Sequence, residues 1–328
     1  VAEGRCLDCI DLFQDQTRIS NAAVGEVFQA FGTSAPEVAI RLYATYSMAG
    51  NPAIGITTII GSALFQLTVV LAVPFFVAST ASLNQDQVLR SAGVYAGAVL
   101  LLLLAAYDAV FYWRELAGFV AYYAVYAWWL LGDTETIETA GSGQTKRKER
   151  GMLAWLDRPT RRGATAINNA LPKPSTSPTG FVIVLGVIGV LCAFTVELAK
   201  YGGSLLSVPA SAMAITVLAA GSSIPELSSN MAKARSGSLD QVVGNAVGSN
   251  TFDVLIGFGG VSLIAATGRG GLGMSTSSAV FVASRPRLRF LASVLRCVFV
   301  GSWAGLGGAA DALLSIYAVS VVGYLVLV

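Results

Sequence analysis

Histidine is absent from this chain, and charged residues are scarce. None of the 328 residues is histidine, and 12% are charged, against roughly 25% in an ordinary soluble domain. Without histidine the chain lacks the commonest metal ligand and general base, which excludes most zinc enzymes and triad enzymes. Basic residues are also few and form no stripe interleaved with aromatic residues, so nothing in the sequence supports nucleic-acid binding.

Cysteine is rare as well, with four residues in the whole chain. Cys6 and Cys9 form a CxxC pair, but neither a second pair nor a βαβ pattern accompanies them. We interpret them as an incidental pair in a polar N-terminal segment, residues 1–23, and keep a redox or metal pair as the alternative. This segment has no apolar run, so it is predicted to be neither a signal peptide nor a membrane span.

Long apolar runs are the dominant feature of what is present, since 54% of the residues are hydrophobic. A membrane helix needs about 20 mostly apolar residues. Runs of this kind occur near 24–48, 52–78, 90–107, 111–131, 180–199, 209–232, 241–266, 289–305 and 309–328. The composition therefore predicts an all-α polytopic protein of about nine transmembrane helices in a lipid bilayer, and leaves open whether it is the plasma membrane or an internal one.

A polar, basic and proline-containing segment, residues 132–179, lies between the fourth apolar run (111–131) and the fifth (180–199). Its composition predicts a flexible linker rather than a second folded domain. Basic loops stay in the cytoplasm, so we expect this linker on the cytoplasmic side. The predicted organisation is thus a first transmembrane half at 24–131 and a second at 180–328.

Two segments of the chain repeat each other. Residues 30–37 read AFGTSAPE and residues 219–226 read AAGSSIPE; further on, GSALFQ at 61–66 matches GSNTFD at 248–253. The copies begin the first and sixth runs, which are an odd number of crossings apart and so cross the membrane in opposite directions. Inverted repeats of this kind are the common plan of secondary transporters.

The first motif of each copy combines a proline with oxygen-bearing side chains. Proline cannot donate a backbone hydrogen bond, so Pro36 and Pro225 each free a carbonyl four residues earlier, which membrane proteins tolerate only beside a cavity or ligand. Glu37 and Glu226 add negative charge. Hard cations such as Ca2+ prefer these oxygen ligands. Hydroxyls are contributed by Thr33, Ser34, Ser222 and Ser223.

The second motif places a serine and a larger polar residue four positions apart. Ser62 precedes Gln66 in one copy, and Ser249 precedes Asp253 in the other. Residues at i and i+4 share a helix face, so each pair is predicted to face one cavity.

The same residues also admit structural interpretations. Helices rich in small residues often serve only for packing. Arg41 lies four residues after Glu37 and offers it an ion-pair partner. Asp253 could have a purely structural role, as a helix cap or as a bridging group. The occurrence of the whole pattern twice in mirrored order disfavours the packing interpretation.

The repeated segments resemble the alpha repeats of the calcium/cation antiporter superfamily. GTSAPE and GSSIPE match its G-[TS]-S-x-P-[ED] signature. Within the superfamily, VLAAGSSIPELSSNMAKAR followed by VVGNAVGSNTFDVLIGFG is most similar to the potassium-dependent sodium/calcium exchangers. The resemblance covers about 18–78 and 205–262.

This resemblance implies an antiporter that exchanges Ca2+ for Na+, with K+ as a further ion in the potassium-dependent members. Glu37 and Glu226 would bind Ca2+ and Na+ alternately, and Thr33 and Ser222 would offer backbone carbonyls to Ca2+. The Na+ positions would be lined by Ser34, Ser62, Ser223 and Ser249. Gln66 and Asp253 would occupy the two remaining positions of the ion site. In the potassium-dependent members, the acid that matches Asp253 tracks K+ dependence. No enzyme activity and no bound cofactor are implied, and no P-loop is present.

Three departures from the family pattern leave alternatives to a sodium/calcium exchanger open. The usual span before the first repeat is lacking, Gln66 stands where asparagine is usual, and Arg41 is atypical. The alternatives are a proton-coupled cation exchanger of the same superfamily and a truncated, non-transporting homologue. An intramembrane aspartyl protease is disfavoured, because Asp253 is the one aspartate within the repeats and no GxGD motif accompanies Tyr107-Asp108.

Overall fold

The structure, a computed structural model, describes residues 24–47, 52–77, 85–105, 110–132, 178–235, 237, 239–267 and 272–273. The predictions for Cys6 and Cys9, for residues 133–177 of the linker and for the last two apolar runs lie outside the described residues. The described part is almost entirely helical, as the sequence predicts. Its helices are α1 (24–33), α2 (Ala35–Tyr46), α3 (52–77), α4 (Gln85–Ala105), α5 (Trp113–Gly132), α6 (Pro178–Leu205), α7 (Ala210–Arg235) and α8 (239–267).

The described part of each of the first seven predicted runs is mainly helical. Five of the described helices, α3, α4, α6, α7 and α8, are long and apolar enough to cross a membrane. The run at 24–48 forms two helices, because the chain bends at Ser34 (φ −85°, ψ 0°) just before Pro36 in the first turn of α2. A short antiparallel ribbon pairs β1 (Val110–Phe111) with β2 (Leu272–Gly273).

Four π-helical segments interrupt the helices at matching places in the two copies. Val24–Gln29 and Ala214–Leu218 each precede the first motif. Gln66–Val70 and Asp253–Gly260 each begin at the last residue of the second motif. Single turns of π-helix occur frequently at functional sites, since they redirect side chains out of the regular helical ladder.

The helices α3 and α8 form the centre of the described fold. Buried residues make up 67% of the most apolar window of α3 and 78% of that of α8, against 22% in α6, which lies at the periphery. In the core, the ring of Phe258 in α8 packs edge-on against Phe111, at 4.8 Å between centroids, and at a tilt against Phe119, at 5.9 Å. The two motif-bearing helix pairs are therefore held inside the protein.

A buried acid that sequence reasoning does not single out ties α1 to α4 and α5. Glu26 is fully buried and accepts hydrogen bonds from the hydroxyl of Tyr126 and from Gln87 Nε2 (3.3 Å). Arg90 Nη2 lies 3.6 Å from its Oε1. The backbone of Glu26 packs against Gly248, where an added Cβ would stand 3.0 Å from its carbonyl oxygen. Glu26 thereby fixes the position of α1 beside α8.

Removing the Tyr126 hydroxyl is expected to weaken this cluster. A Tyr126→Phe variant leaves a buried carboxylate short of a donor, which costs about 1–3 kcal/mol in the free energy of unfolding. Thermal unfolding in detergent measures the effect. Tyr123→Phe is the matched control on the same helix, because the buried Tyr123 hydroxyl has no hydrogen-bond partner among the described residues. Equal losses in the two variants would contradict the role given to Tyr126.

Candidate ion-binding site

Glu37 lies where the two copies meet. It is fully buried in the first turn of α2, directly after the bend at Ser34. Its Oε1 accepts hydrogen bonds from Ser62 Oγ in α3 (3.1 Å) and from Ser223 Oγ in α7 (3.4 Å). The acid of the first copy is thus held by a serine of its own copy and a serine of the other.

Ser62 connects these groups. Its hydroxyl lies 2.8 Å from Ser223 Oγ and accepts a hydrogen bond from Gln66 Nε2 at 3.2 Å, one turn further along α3. Gln66 Nε2 is thereby directed toward the cluster, as the i, i+4 spacing predicts. The Oε1 of Gln66 is buried and has no hydrogen-bond partner in the described part of the chain.

A reciprocal contact joins α1 to α8. Thr33 Oγ1 lies 3.0 Å from Ser249 Oγ, and Ser34 Oγ donates to the backbone carbonyl of Ser249 at 3.4 Å. Thr33 also donates to the Gln29 carbonyl at 2.9 Å, one turn earlier in its own helix. The first motif of one copy therefore packs against the second motif of the other on both sides of the site.

Glu226 and Asp253 are fully buried acids without a hydrogen-bond partner among the described residues. Thr33, Gln66 and Ser249 surround the Glu226 carboxyl group, and Ser34 lies beside that of Asp253. A carboxylate left in this state inside a protein is costly unless it is paired or binds a cation. Together with the unpartnered Oε2 of Glu37, these oxygens form a site that a cation would satisfy.

The three acids are electrostatic neighbours, since Glu37 acts on both Glu226 and Asp253. Among the described residues, however, no three acidic, cysteine or histidine side chains stand close enough to hold one metal ion by themselves. A cation here would complete its shell with hydroxyl, amide, carbonyl or water oxygens, which suits the 6–8 oxygen ligands of Ca2+.

The structure brings the ten residues predicted from the two motifs into one cluster. Nine are buried, and Ser222 is half-buried. The Ser222 hydroxyl donates to the Ala219 carbonyl at 3.2 Å and lies near the Glu37 carboxyl group. In the second copy the helix continues through Pro225 rather than breaking as it does at Ser34, and its irregular part is the π-helical segment upstream.

Arg41 does not pair with Glu37. Its Nη2 donates to Ser262 Oγ in α8 at 2.9 Å, and its guanidinium lies 5.4 Å from the ring centroid of Phe258. The ion-pair interpretation of Glu37 is therefore not supported, and the acid is directed at the serines of the cluster instead.

Two buried amides beside the cluster were not among the predicted site residues. Asn245 Nδ2 donates to Asn230 Oδ1 at 3.0 Å, and Asn230 Nδ2 donates to the Val242 carbonyl at 3.5 Å. Asn230 lies one turn after Glu226, and Asn245 one turn before Ser249. The signal available in the sequence was this i, i+4 spacing, which extends each motif by one turn.

Comparison with known proteins agrees with this geometry. The family described as "Sodium/calcium exchanger protein" matches residues 3–132 and 176–326, which is most of the chain. The chain belongs to the sodium/calcium exchanger family. It is accordingly an integral membrane protein of a family of exchangers rather than of catalytic enzymes.

Two relatives are similar over most of the chain, and a third is similar over a short segment. Sodium/potassium/calcium exchanger 5 of Homo sapiens is 24% identical over 76% of the chain, and the match spans 64% of that relative's length. Inner membrane protein YrbG of Escherichia coli is 28% identical over 74% of the chain and 69% of its own length. Sodium/potassium/calcium exchanger 3 of Rattus norvegicus is 47% identical over 57 residues, 17% of the chain and 9% of its own length.

Solved structures share the fold at low sequence identity. The sodium-calcium exchanger NCX_Mj superimposes with a TM-score of 0.61 and 20% identity, covering 98% of this chain and 93% of that one. An H+/Ca2+ exchanger, CAX, superimposes with a TM-score of 0.67 and 12% identity, covering 99% and 84%. Both likenesses concern the fold and do not distinguish Na+ from H+ as the coupling ion.

Proposed function

We propose that this chain is a secondary active antiporter that exchanges Ca2+ for Na+. The observation that carries the proposal is a group of three buried acids, Glu37, Glu226 and Asp253. Both carboxylate oxygens of Glu226 and of Asp253, and Oε2 of Glu37, have no hydrogen-bond partner among the described residues. Buried acids in a membrane protein mark ion pathways when they are not paired with a base. Membership of the sodium/calcium exchanger family supports the same assignment.

In this proposal Glu37 and Glu226 are the shared ligands, which bind Ca2+ or Na+ in turn. Thr33 and Ser222 offer backbone carbonyls to Ca2+, and Asp253 and Gln66 occupy the two remaining positions of the site. The Na+ positions are lined by the hydroxyls of Ser34, Ser62, Ser223 and Ser249. Since the same carboxylates serve both ions, binding of one excludes the other, which is the condition for exchange.

The exchange cycle requires the site to open to each side of the membrane in turn. We assign the two motif copies to inverted repeats within about nine spans, with transmembrane halves at 24–131 and 180–328 and a cytoplasmic linker at 132–179. The matching positions of the four π-helical segments support two equivalent copies. Rocking of such repeats about a central site gives alternating access, and the ion gradients then set the direction of transport.

The test of this proposal is Ca2+ uptake into proteoliposomes loaded with Na+. An outward Na+ gradient is expected to drive uptake that a pH gradient alone does not drive. Uptake driven by pH and indifferent to Na+ would contradict the proposal and assign the chain to the proton-coupled exchangers. No uptake by correctly inserted protein would contradict both the Na+-coupled and the proton-coupled exchanger, and would indicate that the chain is a non-transporting homologue.

Loss of the Ser62 hydroxyl is expected to reduce the Ca2+ affinity of the site. Ser62→Ala removes a donor to Glu37 and the contacts to Ser223 and Gln66. A hydrogen bond to a charged group contributes about 1.5–3 kcal/mol, so half-saturating Ca2+ should rise about tenfold or more. Uptake at graded Ca2+ concentrations measures this change.

Ser91→Ala is the matched control for this experiment. The buried Ser91 hydroxyl donates to the Gln87 carbonyl in α4 at 2.9 Å, which is not one of the ten site residues. Its half-saturating Ca2+ should equal that of the unaltered chain. A Ser62→Ala variant with unchanged Ca2+ dependence would remove Ser62 from the site.

A further inference from the structure

Asn230 and Asn245 form a buried amide pair between α7 and α8. Asn245 Nδ2 donates to Asn230 Oδ1 at 3.0 Å, and both side chains are fully buried. Asn230 Nδ2 in turn donates to the backbone carbonyl of Val242 at 3.5 Å. Because a carbonyl oxygen can only accept, Val242 fixes the orientation of the Asn230 amide, and Asn230 Oδ1 then fixes the orientation of the Asn245 amide.

This order of donors and acceptors leaves one atom of the pair over, the Oδ1 of Asn245. It is buried and has no hydrogen-bond partner among the described residues. An unpartnered amide oxygen inside a protein is costly, and more so at membrane depth, where bulk water cannot reach it. Buried oxygens of this kind generally meet an ordered water or a ligand. Asn245 Oδ1 is therefore available to a group that the described helices do not supply.

The position of the pair connects this oxygen to the ion site. Asn230 lies four residues after Glu226 in α7, on the same helix face. Asn245 lies four residues before Ser249 in α8, again on one face. Ser249 itself lies beside the Glu226 carboxyl group and 3.0 Å from Thr33 Oγ1. Asn245 thus extends the polar surface of the site by one helical turn, about 5 Å, toward the end of the fold at which α7 ends and α8 begins.

The unpartnered atoms of the site are also acceptor oxygens. Both carboxylate oxygens of Glu226 and of Asp253 lack a hydrogen-bond partner in the described part of the chain, as do Glu37 Oε2 and Gln66 Oε1. Asn245 Oδ1 continues this series one turn further on. Hard cations bind amide oxygens as well as carboxylate oxygens. A cation that leaves the carboxylates in this direction therefore finds its next side-chain oxygen ligand at Asn245.

The matching position in the first copy has no such oxygen. Thr58 stands four residues before Ser62 in α3, as Asn245 stands four residues before Ser249 in α8. The Thr58 hydroxyl, which is fully buried, donates to the carbonyl of Ile54 one turn earlier in its own helix, at 2.8 Å. The two copies are therefore chemically different at this position, and the amide belongs to the second copy.

We propose that Asn245 is a transit position for the transported cation, one helical turn from the carboxylates. Its Oδ1 is a ligand for a cation moving between the site and the end of the fold at which α7 ends and α8 begins. The hydrogen bond to Asn230 holds this oxygen in place. The inference rests on the proposed exchange function and concerns the rate of passage. A group that the ion contacts only in transit changes the rates of entry and exit equally, so equilibrium affinity is unaffected.

The test compares two substitutions of Asn245. Asn245→Leu removes the oxygen, whereas Asn245→Asp keeps it and removes the amide donor. Na+-driven Ca2+ uptake into proteoliposomes is measured beside equilibrium binding of radioactive Ca2+ in detergent. Loss of one oxygen ligand should slow uptake by Asn245→Leu about tenfold, with the equilibrium Ca2+ affinity unchanged. Asn245→Asp is expected to keep most of the rate.

Thr58→Ala is the matched control from the first copy, and its uptake should equal that of the unaltered chain. Equal losses in Asn245→Leu and Asn245→Asp would overturn the inference, because they would show that the hydrogen bond donated to Asn230 is what matters. Uptake by Asn245→Leu at the unaltered rate would overturn it too. So would a loss of equilibrium Ca2+ affinity that parallels the loss of rate, since this would mean a structural change at the site.

A second measurement decides if Asn245→Leu does not fold. Asn245→Cys, in a chain whose four native cysteines are replaced by alanine, is treated with a membrane-impermeant thiol reagent from one side at a time during transport. Labelling is expected from the side on which α7 ends and α8 begins. Labelling from neither side, or from the opposite side alone, would overturn the inference. Absence of Na+-driven uptake by the unaltered chain is a different result, which overturns the exchange function and the role of Asn245 with it.

Discussion

Replacing Glu226 by glutamine is expected to reduce Na+-driven Ca2+ uptake by about 100-fold or more. Both carboxylate oxygens of Glu226 are buried and lack a hydrogen-bond partner in the described structure, so a bound cation would be their main source of stabilisation. Loss of one partner from a buried charge pair costs about 3–5 kcal/mol, and each 1.4 kcal/mol is a factor of about ten in affinity. Glutamine keeps the size of the side chain, so the fold should survive.

A matched control for this variant is Glu197→Gln in α6. Glu197 is an exposed acid that accepts hydrogen bonds from Lys200 Nζ at 2.8 Å and from Tyr43 at 3.0 Å. Exposed ion pairs contribute about 0–1 kcal/mol, so uptake should stay close to that of the unaltered chain. Transport by Glu226→Gln at the rate of this control would mean that the site lies elsewhere.

Substituting valine for Gly61 is expected to destabilise the protein by about 3 kcal/mol or more. Gly61 in α3 packs directly on α7, where an added Cβ would stand 2.8 Å from both Ile215 Cα and Ala219 Cβ. The obstacle is largely backbone, which cannot move away as a flexible side chain would. Overpacking of a tight core costs about 1–3 kcal/mol and occasionally more, and the branched side chain adds to it.

Thermal unfolding of the purified variant in detergent measures this loss. Gly93→Val provides the comparison, because Gly93 also lies within a helix but a Cβ there meets nothing within 4 Å. Its stability should stay within about 1 kcal/mol of the unaltered chain, since valine and glycine have similarly low helix propensities. If the two variants unfold at the same temperature, the helices α3 and α7 are not in the close contact described.

The arrangement of the candidate site could be predicted largely from the internal repeat. Two copies of the same pair of motifs implied that Glu37, Ser62 and Ser223 would meet, and the hydrogen bonds between them agree with that expectation. The helical runs were predictable for a simpler reason, since about 20 apolar residues in sequence leave few alternatives to a membrane helix.

Features that depend on tertiary packing could not be predicted. Ser262, which accepts a hydrogen bond from Arg41, is 221 positions away in the sequence, and an i, i+4 argument offered only Glu37. The cluster of Glu26 with Tyr126 likewise joins residues 100 positions apart. Proline alone did not indicate where a helix breaks, because Pro36 lies just after the bend at Ser34 while the helix around Pro225 continues.

Competition between Ca2+ and Na+ for one site is the central claim, and equilibrium binding tests it most directly. Purified protein in detergent is titrated with radioactive Ca2+ at increasing Na+, beside Glu37→Gln and Glu226→Gln. We expect saturable Ca2+ binding that Na+ displaces completely in the unaltered chain, and loss of that binding in both variants. Ca2+ binding that persists at high Na+, or that survives both substitutions, would contradict a shared carboxylate site.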